Sequence, residues 1–251
     1  MKKKKFKPPV PGKMVKVGGY DMYIFLEGQG EHTFVFMAGS GTRFPTEDFK
    51  PLWSILSKNN KIAVVEKAGY GWSDVTKNPR DISTMLEETR EALSMAEVKA
   101  PYILVPHSLS GLEAIYWAGK YPSEVKAIIG LDPAIPEYYE QAKLPSVSLV
   151  KTIAFLTGHK IFTPNMVDEV RYVKENAMKV KSNEKPLTTP ICFFISNGKG
   201  VAVKNWEALL VNYLSDFQTH KHITLECGHY VHKYEAVKIA SEIKSFVEDV
   251  L

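Results

Sequence analysis

The chain has 251 residues, of which 45% are hydrophobic and 24% charged, the balance of one α/β-sized globular unit rather than a disordered or membrane-embedded chain. Its formal charge is +4, but Lys2, Lys3, Lys4, Lys5 and Lys7 supply five positive charges and leave −1 for everything after them. A nearly neutral body argues against a broad nucleic-acid-binding face.

Residues 1–12 combine the lysines with Pro8, Pro9 and Pro11 and read as a solvated, extended leader. The lysines offer weak contact with an anionic membrane. No apolar region of roughly 7–15 residues follows them, as a secretory signal requires, and no stretch approaches the ~20 apolar residues of a spanning helix. The expected location is cytoplasmic; membrane association is the alternative if a natural N-terminal anchor has been trimmed.

In chain order, the pattern predicts a hairpin from Met14–Val17 and Tyr20–Leu26 around Gly18-Gly19, then a strand over Thr33–Met37. The loop Gly39-Ser40-Gly41 follows. Phe49, Leu52, Trp53 and Leu56 predict a helix over Glu47–Leu56. A strand over Ile62–Val65 opens onto a glycine-rich loop, and a helix follows from about Asp81 to Met95. Next come a strand ending at His107, a helix to about Tyr121 and a strand over Ala127–Leu131. Residues 133–189 change rhythm, with apolar residues at helical spacing, and read as an inserted helical cap. Alternation resumes with a strand over Ile191–Ile195, a helix near Val203–Tyr213, a strand over His222–Leu225 and a last helix from about Lys233 to Val250. The core is therefore 13–132 plus 190–251, a mainly parallel sheet with helices on both faces.

Cys192 and Cys227 fall on or beside predicted core strands and read as inert buried thiols. His229 and His232 stand three apart but lack carboxylate or thiolate neighbours at ligand spacing, so no metal site is expected. No cofactor is implied.

The chemistry concentrates at strand ends. Tyr102-Ile103-Leu104-Val105-Pro106 breaks abruptly at His107-Ser108-Leu109-Ser110-Gly111, the strand-to-helix turn that exposes a serine nucleophile. A serine hydroxyl needs a base to take its proton, and Cys227-Gly228-His229 supplies one. Ser108 also suits a helix N-cap. Ser110 is the rival nucleophile, but Leu112 at its +2 position is too large for a crowded elbow. His107 reads as a packing residue.

With Ala38-Gly39-Ser40-Gly41, Glu66-Lys67-Ala68-Gly69-Tyr70-Gly71-Trp72-Ser73, the elbow at Ser108 and Gly228-His229 in this order, the chain resembles the α/β-hydrolase superfamily over nearly its whole length after the leader. The resemblance implies a twisted, mostly parallel sheet with a cap, Ser108 as nucleophile and His229 as general base. It also implies an oxyanion hole from the backbone N–H groups of Ser40 and Leu109. Two departures stand out. Ala38 replaces a histidine common in the family, and no carboxylate follows Ile191–Ile195, where many members carry their third triad residue. Asp132, one strand earlier, fills that role in some members and is the candidate acid; its other reading is an anchor for the Asp132-Pro133 turn or a cap for the first cap helix. Glu66 is a poorer candidate, holding its own loop.

These residues predict a serine hydrolase cleaving a small ester through an acyl-enzyme. Tyr138, Tyr139, Phe155 and Phe162 are the candidate pocket wall. Iminopeptidase-like, amide, lactone and C–C hydrolysis remain open on the same machinery, as does a slow or inactive ligand-binding protein. Haloalkane dehalogenation is disfavoured, since it uses an aspartate where Ser108 stands.

Overall fold

The computed structural model describes residues 11–159, 161–183 and 188–251. The lysines of the leader lie outside the described residues. In chain order the elements are β1 (Gly12–Val17), β2 (Tyr20–Glu27), β3 (Thr33–Met37), α1 (Pro45–Asp48), α2 (Lys50–Leu56), β4 (Lys61–Glu66), α3 (Ile82–Met95), β5 (Tyr102–Pro106) and α4 (Ser110–Lys120). They continue with β6 (Val125–Leu131), α5 (Pro136–Gln141), α6 (Val147–Leu156), α7 (Pro164–Ser182), β7 (Ile191–Ile195), α8 (Trp206–Leu214), β8 (His220–Thr224), α9 (Val231–Tyr234) and α10 (Ala236–Val250).

The eight strands form one sheet in the order β1-β2-β4-β3-β5-β6-β7-β8. β1 and β2 pair antiparallel, β2 meets β4 antiparallel, and every later pairing is parallel. The central strands β3, β5 and β7 are buried along their whole length, as strands covered on both faces must be. Their side chains alternate between two cores. Val35, Leu104 and Phe193 join Leu86, Leu112 and Leu210 of α3, α4 and α8 on one face; Phe36, Val105 and Phe194 join Leu52 of α2 and Ile239, Ile243 and Phe246 of α10 on the other. Period-two alternation thus assigns each strand residue to a layer.

The boundaries differ from expectation in places that have local causes. The single helix predicted over 47–56 is two, because Pro51 in the first turn of α2 has no N–H to extend α1. β1 starts at Gly12, inside the predicted leader, pairing with Phe25. A Cβ at Gly12 would lie 2.2 Å from the Tyr23 hydroxyl, so the strand's start needs a glycine. β8 starts two residues and ends one residue earlier than expected, and the last helix divides at Glu235. Helices α5–α7 span the interval between β6 and β7, where a cap was expected. No described helix is long and apolar enough to cross a membrane.

Candidate active site

The carboxyl ends of β3, β5, β6 and β7 and the loop after β8 bring the predicted chemistry to one edge of the sheet, where open α/β folds bind ligands. Ser108 sits between β5 and α4 with φ +53°, the strained left-handed backbone of a sharp elbow. Such a turn requires small neighbours. A Cβ on Gly39 would lie 2.7 Å from Ser108 Cβ and 2.9 Å from the His107 carbonyl oxygen, and one on Gly111 would lie 2.3 Å from the Ala134 carbonyl oxygen. Glycine at 111 lets α4 press directly against the segment after β6.

The two serines of the elbow are distinct. Ser110 is fully buried, with its hydroxyl 2.6 Å from the Met37 carbonyl oxygen and 2.9 Å from that of His107. Ser108 is half-buried and lines a cavity of about 270 Å³ together with Ser40, Leu109 and His229. Among the described residues, neither the Ser40 nor the Leu109 backbone N–H donates to a protein acceptor.

Asp132 ends β6 with φ +48° and is completely buried. Its carboxylate accepts four hydrogen bonds. Oδ1 receives the Ser196 backbone N–H and the Trp206 indole N–H, each at 2.7 Å. Oδ2 receives the Ser196 hydroxyl at 2.7 Å and His229 Nδ1 at 2.6 Å. The four donors match the four lone-pair positions of a carboxylate, which fixes the ring of His229 with Nδ1 protonated. Ser196 occupies the end of β7, where the family resemblance led one to look for an acid, and its amide and hydroxyl hold the acid of the neighbouring strand.

Behind His229 lies a packed aromatic group. His107 donates from Nε2 to the His229 carbonyl oxygen at 3.1 Å, its ring centroid 4.7 Å from that of His229 and 4.8 Å from that of His232. Burial holds the His107 imidazole well below its ordinary proton affinity, with His232 and His229 reinforcing the effect. His232 is buried as well and donates to Asp48 at 2.8 Å. Burial lowers its pKa, with the bond to Asp48 opposing.

A second buried network joins cap to core. Lys67 lies 2.6 Å from Glu113 on α4 and 3.5 Å from Glu169 on α7, and the Tyr70 hydroxyl donates to Glu169 at 2.6 Å. Glu66 instead holds its own loop, accepting from the Thr46 hydroxyl at 2.7 Å and the Trp72 N–H at 2.6 Å.

The cavity wall is almost wholly apolar. Tyr138, Tyr139 and Phe162 line it, joined by Leu144, Val150, Val173, Val201 and Trp206. Phe155 does not. It is 78% exposed on the outer side of α6, because the buried stripe of that helix is Val150 and Ala154, four residues apart, and Phe155 projects beyond it. Trp206 was missed by sequence reasoning, and its place at the start of α8, just after a strand end, was the one available signal.

No protein-family model matches the chain. The Bacillus subtilis (strain 168) protein YbdG, itself uncharacterised, is 46% identical over 177 residues, covering 69% of this chain and 54% of that protein. The chain thus spans about half the length of that relative. Among solved structures, the enol-lactonase from Burkholderia xenovorans LB400 superposes with a TM-score of 0.71 at 12% identity, covering 94% of this chain and 100% of that one. A candidate alpha/beta hydrolase from Nostoc sp PCC 7120 does so with a TM-score of 0.73 at 14% identity, covering 94% and 97%. The chain has the α/β-hydrolase fold. Identities this low speak to architecture, and within the α/β-hydrolase architecture Ser108, Asp132 and His229 stand at the ends of β5 and β6 and after β8.

Proposed function

We propose that the protein is a serine hydrolase that cleaves a small, uncharged ester through an acyl-enzyme. The observation that carries this reading is the 2.6 Å bond from His229 Nδ1 to a fully buried Asp132 carboxylate, in a histidine that shares one cavity with Ser108. His229 Nε2 takes the proton of the Ser108 hydroxyl as Oγ attacks the ester carbonyl carbon. Asp132 holds the tautomer and stabilises the imidazolium that results. The negative oxygen of the tetrahedral intermediate turns toward the N–H groups of Ser40 and Leu109. Collapse breaks the bond to the alkoxy oxygen, which leaves with the proton from His229. Water then repeats the sequence on the acyl-enzyme and releases the acid.

The cavity supports the substrate class. Its walls carry no aspartate, glutamate, lysine or arginine side chain, so a charged acyl group would be desolvated without a counter-charge. A missing third triad residue would favour a slow or inactive ligand-binding protein, and no carboxylate follows β7; Ser196 there donates to Asp132 instead, which favours the hydrolase.

Intact-mass measurement after treatment with a fluorophosphonate tests the proposal, with Ser108→Ala alongside. One adduct on the wild type and none on the variant is expected, together with turnover of short p-nitrophenyl esters. A folded wild type that forms no adduct would overturn the hydrolase reading.

A further inference from the structure

Helix α6 departs from the one-sided burial of α10. In α10, Ile239, Ile243, Phe246 and Val247 all turn inward, as amphipathic helices of globular proteins do. In α6, Val150 and Ala154 alone are buried. Leu149, Ile153 and Leu156, at i, i+4 and i+7, share an outward face with exposures of 52%, 36% and 76%. Phe155 beside them and Ile161 just after the helix are also exposed. Scattered exposed leucines are ordinary, but five large apolar side chains gathered on one cap segment mark a surface that meets something.

The surrounding charge indicates what it meets. Between Glu140 and Asp168 the chain has no acidic residue, and its only charged residues are Lys143, Lys151 and Lys160. Lys143 and Lys151 are exposed. An apolar helix face whose own stretch of chain carries lysines and no acidic residue suits an anionic lipid interface, apolar side chains entering the acyl boundary and lysines meeting the headgroups. The opposite side of the same segment faces the candidate site. Val150 and Phe162 line the cavity that holds Ser108, so the outward face of α6 is the outer wall of the candidate active site.

We infer that α6 is a membrane-surface docking element that seats the cap on anionic lipid. The inference stands on the exposed face and its charge and does not depend on Ser108 being a nucleophile. The lysines of the leader offer a separate electrostatic contact, and the experiment separates the two.

The test is co-sedimentation of the full chain with vesicles of phosphatidylcholine mixed with phosphatidylglycerol, and with phosphatidylcholine alone. The expected result is binding to the mixed vesicles, weaker on neutral ones, and weakened again as salt shortens the reach of surface charge. A Phe155→Ser, Leu156→Ser double variant is expected to keep the wild-type melting temperature and to bind at least roughly tenfold more weakly, since each side chain carries several buried methylene equivalents. Replacing Lys2, Lys3, Lys4, Lys5 and Lys7 by glutamine is expected to leave most of the binding in place. Absence of binding to mixed vesicles would overturn the inference. So would binding that survives the double variant but vanishes with the leader lysines. A concentration-dependent dimer in light scattering, abolished by the double variant, would assign the face to a second copy and overturn it equally.

Discussion

Replacing Lys67 by methionine should cost far more than replacing the glutamate it faces across the cap, although both residues belong to one buried cluster. Lys67, Glu113 and Glu169 are exposed by no more than 4% as side chains, and the nearby Arg80 is already engaged with Glu88 at 2.7 Å. The cluster therefore holds one cation for two carboxylates. Burial alone would depress the Lys67 ammonium, yet Glu113 and Glu169 hold it above its ordinary value. Burial pushes Glu169 up, Lys67 opposes that, and Glu113 adds to it. Lys67→Met strands two carboxylates without a counter-charge, and breaking a buried pair in this way costs about 3–5 kcal/mol, a fall in Tm on the order of 10 °C for a chain this size. Glu169→Gln instead removes the surplus negative charge, and its amide oxygen still accepts from the Tyr70 hydroxyl, so the cost should stay within about 1 kcal/mol. Urea unfolding followed by circular dichroism measures both. Equal destabilisation by the two variants would refute the charge count and with it the view that Lys67 holds α7 of the cap to α4 behind the elbow.

Three further outcomes are expected. Gly39→Ala puts a methyl group 2.7 Å from Ser108 Cβ and 2.9 Å from a backbone oxygen, and because a shift of about 1 Å at a reacting centre can cost ~100-fold, kcat/KM for a p-nitrophenyl ester should fall by about that factor; an active variant would mean the elbow has room to spare. Trp206→Phe keeps an aromatic wall but removes the 2.7 Å donor to Asp132, so scanning calorimetry should show a loss of about 1.5–3 kcal/mol while KM moves little and kcat falls; unchanged stability would show that the bond contributes nothing. His107 and His232 are both held below the ordinary imidazole pKa of 6.5, so below that value the unfolded chain binds protons that the folded one refuses. Stability present above pH 6.5 is then lost as pH falls toward the folded-state values. Melting curves against pH should show this decline, and His107→Gln should make it shallower; an identical slope in the variant would exclude His107 as a source.

How much of this was legible beforehand depends on the range of the interaction. Strand continuity and a serine between small residues are local patterns, so the central strands, the elbow and the histidine loop could be read directly. The two-helix form of 45–56 was legible too, in Pro51, had its missing N–H been weighed against the apolar spacing of Phe49, Leu52 and Leu56. Phe155 was misplaced because helical spacing names a stripe without saying which of two stripes faces inward, and in α6 both are apolar. The Lys67 cluster joins residues far apart in the chain, Lys67 and Glu113 being 46 positions apart and Tyr70 and Glu169 being 99 apart. No periodicity records such pairings. Only the glycine-rich loop that carries Lys67 hinted that something was held there.

The site of the acid shows how such a constellation tolerates relocation. β6 and β7 are paired in parallel, with Leu131 beside Phe194, so their ends lie about one strand spacing apart, roughly 4.8 Å. A carboxylate at the end of either strand can face a histidine arriving from the loop after β8, provided the backbone turns it there. Asp132 does this with a left-handed φ of +48°, and the following segment is held by the Ala134 N–H to the Ser108 carbonyl oxygen at 2.8 Å. Asp132 and Ser108 are therefore tied to one another through the backbone and not only by way of His229. What the vacated position at the end of β7 then needs is a donor, because a buried carboxylate with an empty lone pair would be costly to keep charged. Ser196 donates twice and Trp206 once, leaving the fourth position to His229. Since Trp206 also lines the cavity, whatever fills that cavity packs against a side chain that donates to the same carboxylate as His229.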